Sequence, residues 1–159
     1  TNSFISQGFV ACRVVLQRTN KGRTEYLLQR RTKVPYKGFL AEPGGKILWG
    51  EDVIASAQRN MLEQTGLDCE LRLRGQIHIK DVYQDEVVQD KYFYVLSAEN
   101  YRGELNMRGS TGTNEWFTKE ELQQNPKTHQ GVMEILDIAS SKEFLSFPWL
   151  ELQFRLLFA

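Results

Sequence analysis

From Gly8 to Leu16 the chain runs Gly-Phe-Val-Ala-Cys-Arg-Val-Val-Leu, an apolar β-branched stretch, and Glu25 to Gln29 forms another after the turn signal Asn20-Lys21-Gly22. This pattern predicts a hairpin with at least one buried strand. Pro35, Gly38, Pro43, Gly44, Gly45 and Gly50 then interrupt both regular periods, so the stretch between them is predicted as loop with brief extended pieces, a place where function concentrates. From about Glu51 to Thr65 the period becomes helical: Val53, Ala57 and Met61 fall at four-residue steps beside Ile54, and Gly66 stands where a helix stop belongs. Leu71 to Val82 and Val87 to Ser97 read as two strands with Asp85 and Glu86 between them. Alternation of Tyr92, Tyr94 and Leu96 against Phe93 and Val95 suggests burial on both sides. Trp116-Phe117 is a short strand, followed by Thr118-Lys119-Glu120-Glu121, the opening of a capped helix. Gly131 to Ser141 carries Val132, Ile135, Leu136 and Ala139 at helical spacing, and the aromatic stretch Phe144 to Phe158 suits either strand or helix. The order is α/β, with strands before and after a central helix and a mixed sheet.

Length and composition narrow this further. A chain of 159 residues with 41% hydrophobic content fits one domain, residues 1–159, around a single sizeable core. It contains no run of about 18 consecutive apolar residues, and Thr1-Asn2-Ser3 does not open a basic-then-apolar leader, so a soluble cytoplasmic protein with no membrane association is expected. Cys12 and Cys69 lie far apart without metal-ligand spacing and read as buried thiols. The formal net charge of zero argues against a nucleic-acid partner held by a general field. Locally the balance differs: between Arg13 and Lys37 eight cations meet one anion, Glu25. That segment is either a pair of solvated strand faces or a surface that meets phosphate.

The glycine loop and the helix after it carry the chemistry. Counting from Gly45, five residues lead to Glu51, seven more to Arg59, and Met61, Glu63, Gly66 and Leu67 follow. With Pro43-Gly44-Gly45-Lys46 before it, this pattern resembles the box of the Nudix hydrolases, Gly-x5-Glu-x7-Arg-Glu-U-x-Glu-Glu-x-Gly-U, where U is aliphatic. The strand order extends the resemblance from Gly8 to Leu122. It implies an α/β/α sandwich with a loop–helix–loop motif, and a pyrophosphohydrolase that cleaves a nucleoside diphosphate linked to a further moiety. It also implies a Mg²⁺ or Mn²⁺ cofactor held by hard oxygen donors. Carried over residue by residue, Glu63, Arg59 and Glu51 would be catalytic, with Arg59 orienting the helix face. Gly45, through its carbonyl, Glu63 and Gln64 would meet the metal; the basic segment around Arg30, Arg31 and Lys46, read from its charge and not from the family, would bind substrate.

The departures fall on the groups that matter most for hydrolysis. Where the family has Glu, Glu and Glu on the helix, this chain has Asn60, Glu63 and Gln64. Neutral amides offer a carbonyl oxygen but no charge, and cannot act as bases near neutral pH. At about 4 Å and an effective dielectric near 20 each lost carboxylate–cation pair is worth several kcal/mol before desolvation, so metal affinity is expected to fall. Two functions follow: a metal-dependent hydrolase of impaired activity, or an inactive Nudix domain that binds a nucleotide or a protein. Beside these roles, Arg59 and Glu63 would also suit a surface ion pair, and Glu51 a carboxylate favoured by the helix dipole. His78 and His129 have no ligand spacing around them and read as non-functional. The aromatic C-terminal stretch belongs to the core or to a subunit interface, which would make the protein a homodimer.

Overall fold

The structure, a computed structural model, describes residues 7–34 and 36–153, with only the backbone considered for Gln7 and for 145–153. Strand β1 (Gln7–Asn20) turns through Lys21 and Gly22, both at positive φ, into β2 (Arg23–Arg31). A two-residue loop with both centres left-handed matches the twist of the strands it joins, which is why the Lys-Gly pair closes the hairpin. Brief strands β3 (Leu40–Ala41) and β4 (Gly44–Lys46) lie in the glycine-rich stretch, and α1 (Val53–Thr65) follows. Asp52 caps α1 by accepting from the Ala55 N–H at 2.8 Å, and Gly66 ends it in the left-handed region at φ 78°. Next come β5 (Asp68–Tyr83) and β6 (Glu86–Arg102), then β7 (Gly112–Phe117), α2 (Lys119–Gln124), α3 (Val132–Ser140) and β8 (Leu145–Gln153).

The fold class expected from the sequence, a mixed sheet flanked by helices, is the one observed. Strands run in the order β3-β2-β1-β6-β5-β8, with β4 added on β1 and β7 on β2; β1 with β6, and β5 with β8, are parallel. Both β5 and β6 outrun their apolar patterns: Asp68 pairs with Arg102 and Cys69 with Tyr101. Ladder bonds hold this polar end, so hydropathy did not mark it. The ambiguous terminal stretch is a strand along β5 as far as Gln153. Its expected roles in core or interface fall on side chains outside those described.

The sheet separates two apolar layers. Ala11, Val15, Leu28, Ile77 and Phe93 pack with Leu122 of α2 and Val132, Ile135 and Leu136 of α3. Cys12, Val14, Leu16, Leu27 and Leu96 pack on the other side with Ala57 and Met61 of α1. Alternation along β1 thus serves both faces, and the Ala57–Met61 step is the buried stripe of α1. Both cysteines are free and buried. No helix among the described residues is long and apolar enough to cross a membrane.

Candidate ligand-binding site

The hairpin of β1 and β2 is paired only from Gln17↔Tyr26 to Asn20↔Arg23. Beyond that the two strands splay: β4 takes the free edge of β1 at Ala11–Arg13, while β3 and β7 pair with β2. A cavity of about 540 Å³ lies at this divergence. Its lining includes alternate residues of each strand, Phe9, Ala11 and Arg13 of β1, Gln29 and Arg31 of β2, and Gln89, Lys91 and Phe93 of β6. Period-two alternation is what brings them to one face. Val132 and Ile135 of α3, with His129 and Gln130, line another side, and Glu42, Gly44, Gly45 and Lys46 with Asn60 and Gln64 of α1 line the flank.

Cations dominate the walls. Arg13 lies over the Phe93 ring at 4.4 Å and Lys46 over Phe9 at 5.0 Å. Lys91 donates to Asp81 at 2.8 Å with both side chains buried. Desolvation is the main force pushing Arg13, Arg31 and Lys91 below their ordinary pKa values. Cations stripped of water in a low-dielectric cleft focus a positive field, and an anion entering it relieves their loss of hydration. Desolvation, and then Lys91, pushes the His129 pKa down to about 3.

One carboxylate shares this cavity. Glu42 is 3% exposed, and neither of its oxygens accepts a hydrogen bond from another residue. Burial raises its pKa to about 8 against the opposing pull of its own backbone N–H and then of Arg13. The side-chain nitrogen of Gln29 is likewise unsatisfied, while its oxygen accepts from Thr111 at 3.2 Å.

Close approach shapes the glycine loop. A Cβ on Gly44 would lie 2.0 Å from the Cys12 carbonyl oxygen, and one on Gly45 would lie 2.2 Å from Asn60 Oδ1. Only glycine lets β4 sit on β1 and under α1 at once. The amides of α1 fill the remaining contacts. Asn60 Nδ2 donates to the Ser56 carbonyl at 2.9 Å; Gln64 Nε2 donates to Asn60 Oδ1 at 3.3 Å and to the Gly44 carbonyl at 2.7 Å. The Gly44 N–H donates back to Gln64 Oε1 at 3.4 Å. Carboxylates at both positions would set acceptors against a carbonyl, an arrangement that needs a cation between them; amides satisfy it from within.

That network bears on whether the residues present fit a divalent ion, and they do not. Gln64 turns a donor toward the Gly44 carbonyl, Asn60 is spent on the helix and on Gln64, and Glu63 lies apart, its side chain 59% exposed beside Arg59 at 3.3 Å. Among the described residues no group of three or more His, Cys, Asp or Glu is arranged to hold a metal. Arg59 grips Glu51 in a fork, Nε to Oε2 at 2.8 Å and Nη2 to Oε1 at 2.9 Å. The fork is the main reason Glu51 is held down to about 2, the Leu48 N–H adding to it.

Of the substrate-binding residues expected from sequence, Arg31 and Lys46 line the cavity, with Gly45 and Gln64 beside them. Arg30 is not in the lining; it pairs with Glu115 at 3.1 Å and donates to the Gly38 carbonyl at 3.2 Å. Arg59, Glu51 and Glu63 form their own cluster on the outer side of the loop–helix junction. Sequence reasoning passed over Gln29, Glu42 and Lys91, named Arg13 only among the cations of the basic segment, and read His129, which lines the cavity, as non-functional. A carboxylate ending the apolar run Phe39-Leu40-Ala41 was the available signal for Glu42; Arg13 interrupts an apolar strand in the same way.

With this geometry established, the comparisons with known proteins are consistent and fix the class. The model of the NUDIX domain matches residues 9–136, and the chain belongs to that family. Among solved structures it is similar to the mutator MutT protein of Bacillus halodurans, with 20% identity, 94% of each chain covered and a TM-score of 0.75. It also resembles the MutT NUDIX hydrolase of Burkholderia pseudomallei, at 22% identity over 84% of this chain and 99% of that one, TM-score 0.64. A third likeness is to the NUDIX domain of Shewanella oneidensis NrtR, solved in complex with ADP ribose, at 14% identity over 87% and 90% of the two chains, TM-score 0.69. At such identities these likenesses establish the fold.

Proposed function

We infer that the protein binds a nucleoside diphosphate joined to a further group in the cavity between β1 and β2, and does so without needing a divalent ion. The observation that carries this reading is the convergence of Arg13, Arg31, Lys46 and Lys91 on one cavity, three of them, Arg13, Arg31 and Lys91, depressed chiefly by desolvation, and Lys91 already paired with Asp81. A diphosphate supplies the negative charge this wall lacks, and the side chains can hold it directly, as guanidinium groups hold phosphate. The amide network on α1 supports the same reading, since it satisfies the glycine loop by hydrogen bonding where an ion would otherwise be required. Binding is then the function and turnover is at most slow.

Metal-dependent hydrolysis of the same ligand is the second reading. It is favoured by Glu51 and Glu63, both retained within reach of Arg59 at the edge of the glycine loop. Titration calorimetry with ADP-ribose in EDTA, and again with Mg²⁺ or Mn²⁺, separates the two. Binding of similar strength in both buffers, weakened at least about tenfold by Arg31→Ala, supports the binding domain. Binding seen only with the metal, accompanied by product formation, would overturn it in favour of the hydrolase.

A further inference from the structure

Glu42 stands out against the rest of the cavity. Its carboxyl is 3% exposed and lines the same space as Arg13, Arg31, Lys46 and Lys91, yet no other residue donates to either oxygen. Arg13, the nearest source of attraction, places its own hydrogen bond on the Cys12 carbonyl at 3.4 Å. A buried acceptor pair left without donors costs free energy in the empty protein, and sites of that kind persist where something else completes them.

We propose that Glu42 determines which ligand the cavity accepts, its carboxyl releasing its proton to solvent as its two oxygens receive a pair of adjacent hydrogen-bond donors on the part of the ligand away from the phosphates. This rests on the reading of the cavity as a nucleotide site. Charge supplies the polarity: the carboxylate formed on binding repels phosphate, which the cations attract, so the two ends of a nucleotide are sorted within one cavity. Two portions of a nucleoside carry adjacent donors. One is a base edge with a ring N–H beside an exocyclic amino group, as in guanine; the other is the vicinal diol of ribose. A site built to hydrogen-bond such a group rejects analogues that lack it, because the buried partner is then left bare.

The test is calorimetric binding of GDP, IDP and 2′-deoxy-GDP in EDTA by the unaltered protein and by Glu42→Gln. IDP lacks only the 2-amino donor, and the deoxy compound only one hydroxyl. A preference of at least about tenfold for GDP over IDP assigns the donors to the base edge; the same preference over 2′-deoxy-GDP assigns them to the diol. In either case Glu42→Gln, which swaps one acceptor for a donor at nearly constant size, should bring that preference below about threefold. Similar binding of all three by the unaltered protein overturns the role of Glu42 while leaving the nucleotide site standing. So does a preference that survives the substitution. Failure of all three to bind while ADP-ribose binds overturns the role of Glu42 alone; failure of ADP-ribose as well overturns both.

Discussion

The side-chain amide of Gln64 brackets the peptide of Gly44: Nε2 donates to the Gly44 carbonyl at 2.7 Å, and Oε1 accepts the Gly44 N–H at 3.4 Å. Gln64 is 7% exposed, so water does not compete freely for either bond. This one pairing ties the helix to the loop, and it does so with a donor where a carboxylate would present an acceptor.

Gln64→Glu should therefore lower stability in EDTA at neutral pH by about 1–3 kcal/mol, the cost of setting a buried acceptor against a carbonyl. Thermal unfolding would show this as a fall of several degrees. Millimolar Mn²⁺ should recover more of the melting temperature in the variant than it adds to the unaltered protein, because only the variant opposes two acceptors there. Equal melting temperatures in EDTA would mean that the amide donor contributes nothing.

Gly45→Ala tests the packing directly. Its Cβ would lie 2.2 Å from Asn60 Oδ1, and Asn60, 5% exposed and bonded to the Ser56 carbonyl, cannot simply swing away. Overpacking of this sort costs about 1–3 kcal/mol. Adding Asn60→Ala removes the obstacle, so the double variant should lose less than the two single losses added together, a coupling that urea titration can measure. Strict additivity would show that the clash is relieved elsewhere.

Glu51 and Arg59 provide a test in acid. The fork holds Glu51 at about 2, below its ordinary 4.5. Its contribution is thus fully present above pH 4.5 and is lost as pH falls toward 2. Glu51→Gln should be less stable than the unaltered protein at neutral pH, and the two stability profiles should converge across that acid window. Profiles that stay parallel from pH 5 to 2 would show that the fork adds no ionisation-linked stability.

The fold was readable because the hydrophobic pattern and the backbone agree: Val53, Ala57 and Met61 forecast the buried stripe of α1, and Gly66 its end. The glycines of β4 were readable for a related reason, since close backbone contact admits no other residue. The cavity was not readable. It arises where β1 and β2 part, a property of which strand takes which edge, and Arg13, Lys91 and Glu42 come from segments far apart in sequence. Local charge counting took in Arg13 and Arg31 but could not tell them from Arg30, whose place one position along β2 leads it to Glu115 instead. Nor could helical spacing alone separate buried Asn60 and Gln64 from exposed Glu63; that depended on how closely the glycine loop approaches the helix.

Glu42 gives the last prediction, with the opposite sign to Glu51. Burial lifts its pKa to about 8 in the fold, against an ordinary value of 4.5, so between those limits the folded chain holds a proton that the unfolded chain has released. Stability should fall as pH rises through that window, by at most about 1.4 kcal/mol per pH unit, and this contribution should level off above pH 8. The groups acting on the carboxyl besides burial are its own backbone N–H and then Arg13, which favour its ionisation, and Glu134 of α3, which opposes it. Glu42→Gln removes the titration while keeping size and polarity. Urea unfolding from pH 5 to 9 should then show the variant gaining on the unaltered protein as pH rises, with the difference growing most steeply below pH 8. The Glu51 window lies below pH 4.5 and does not overlap this range. A pH-independent difference between the two proteins would mean that Glu42 is already ionised in the fold near neutral pH, held by Arg13 more strongly than burial opposes it, and the proton would then have no part in its exchange with a ligand.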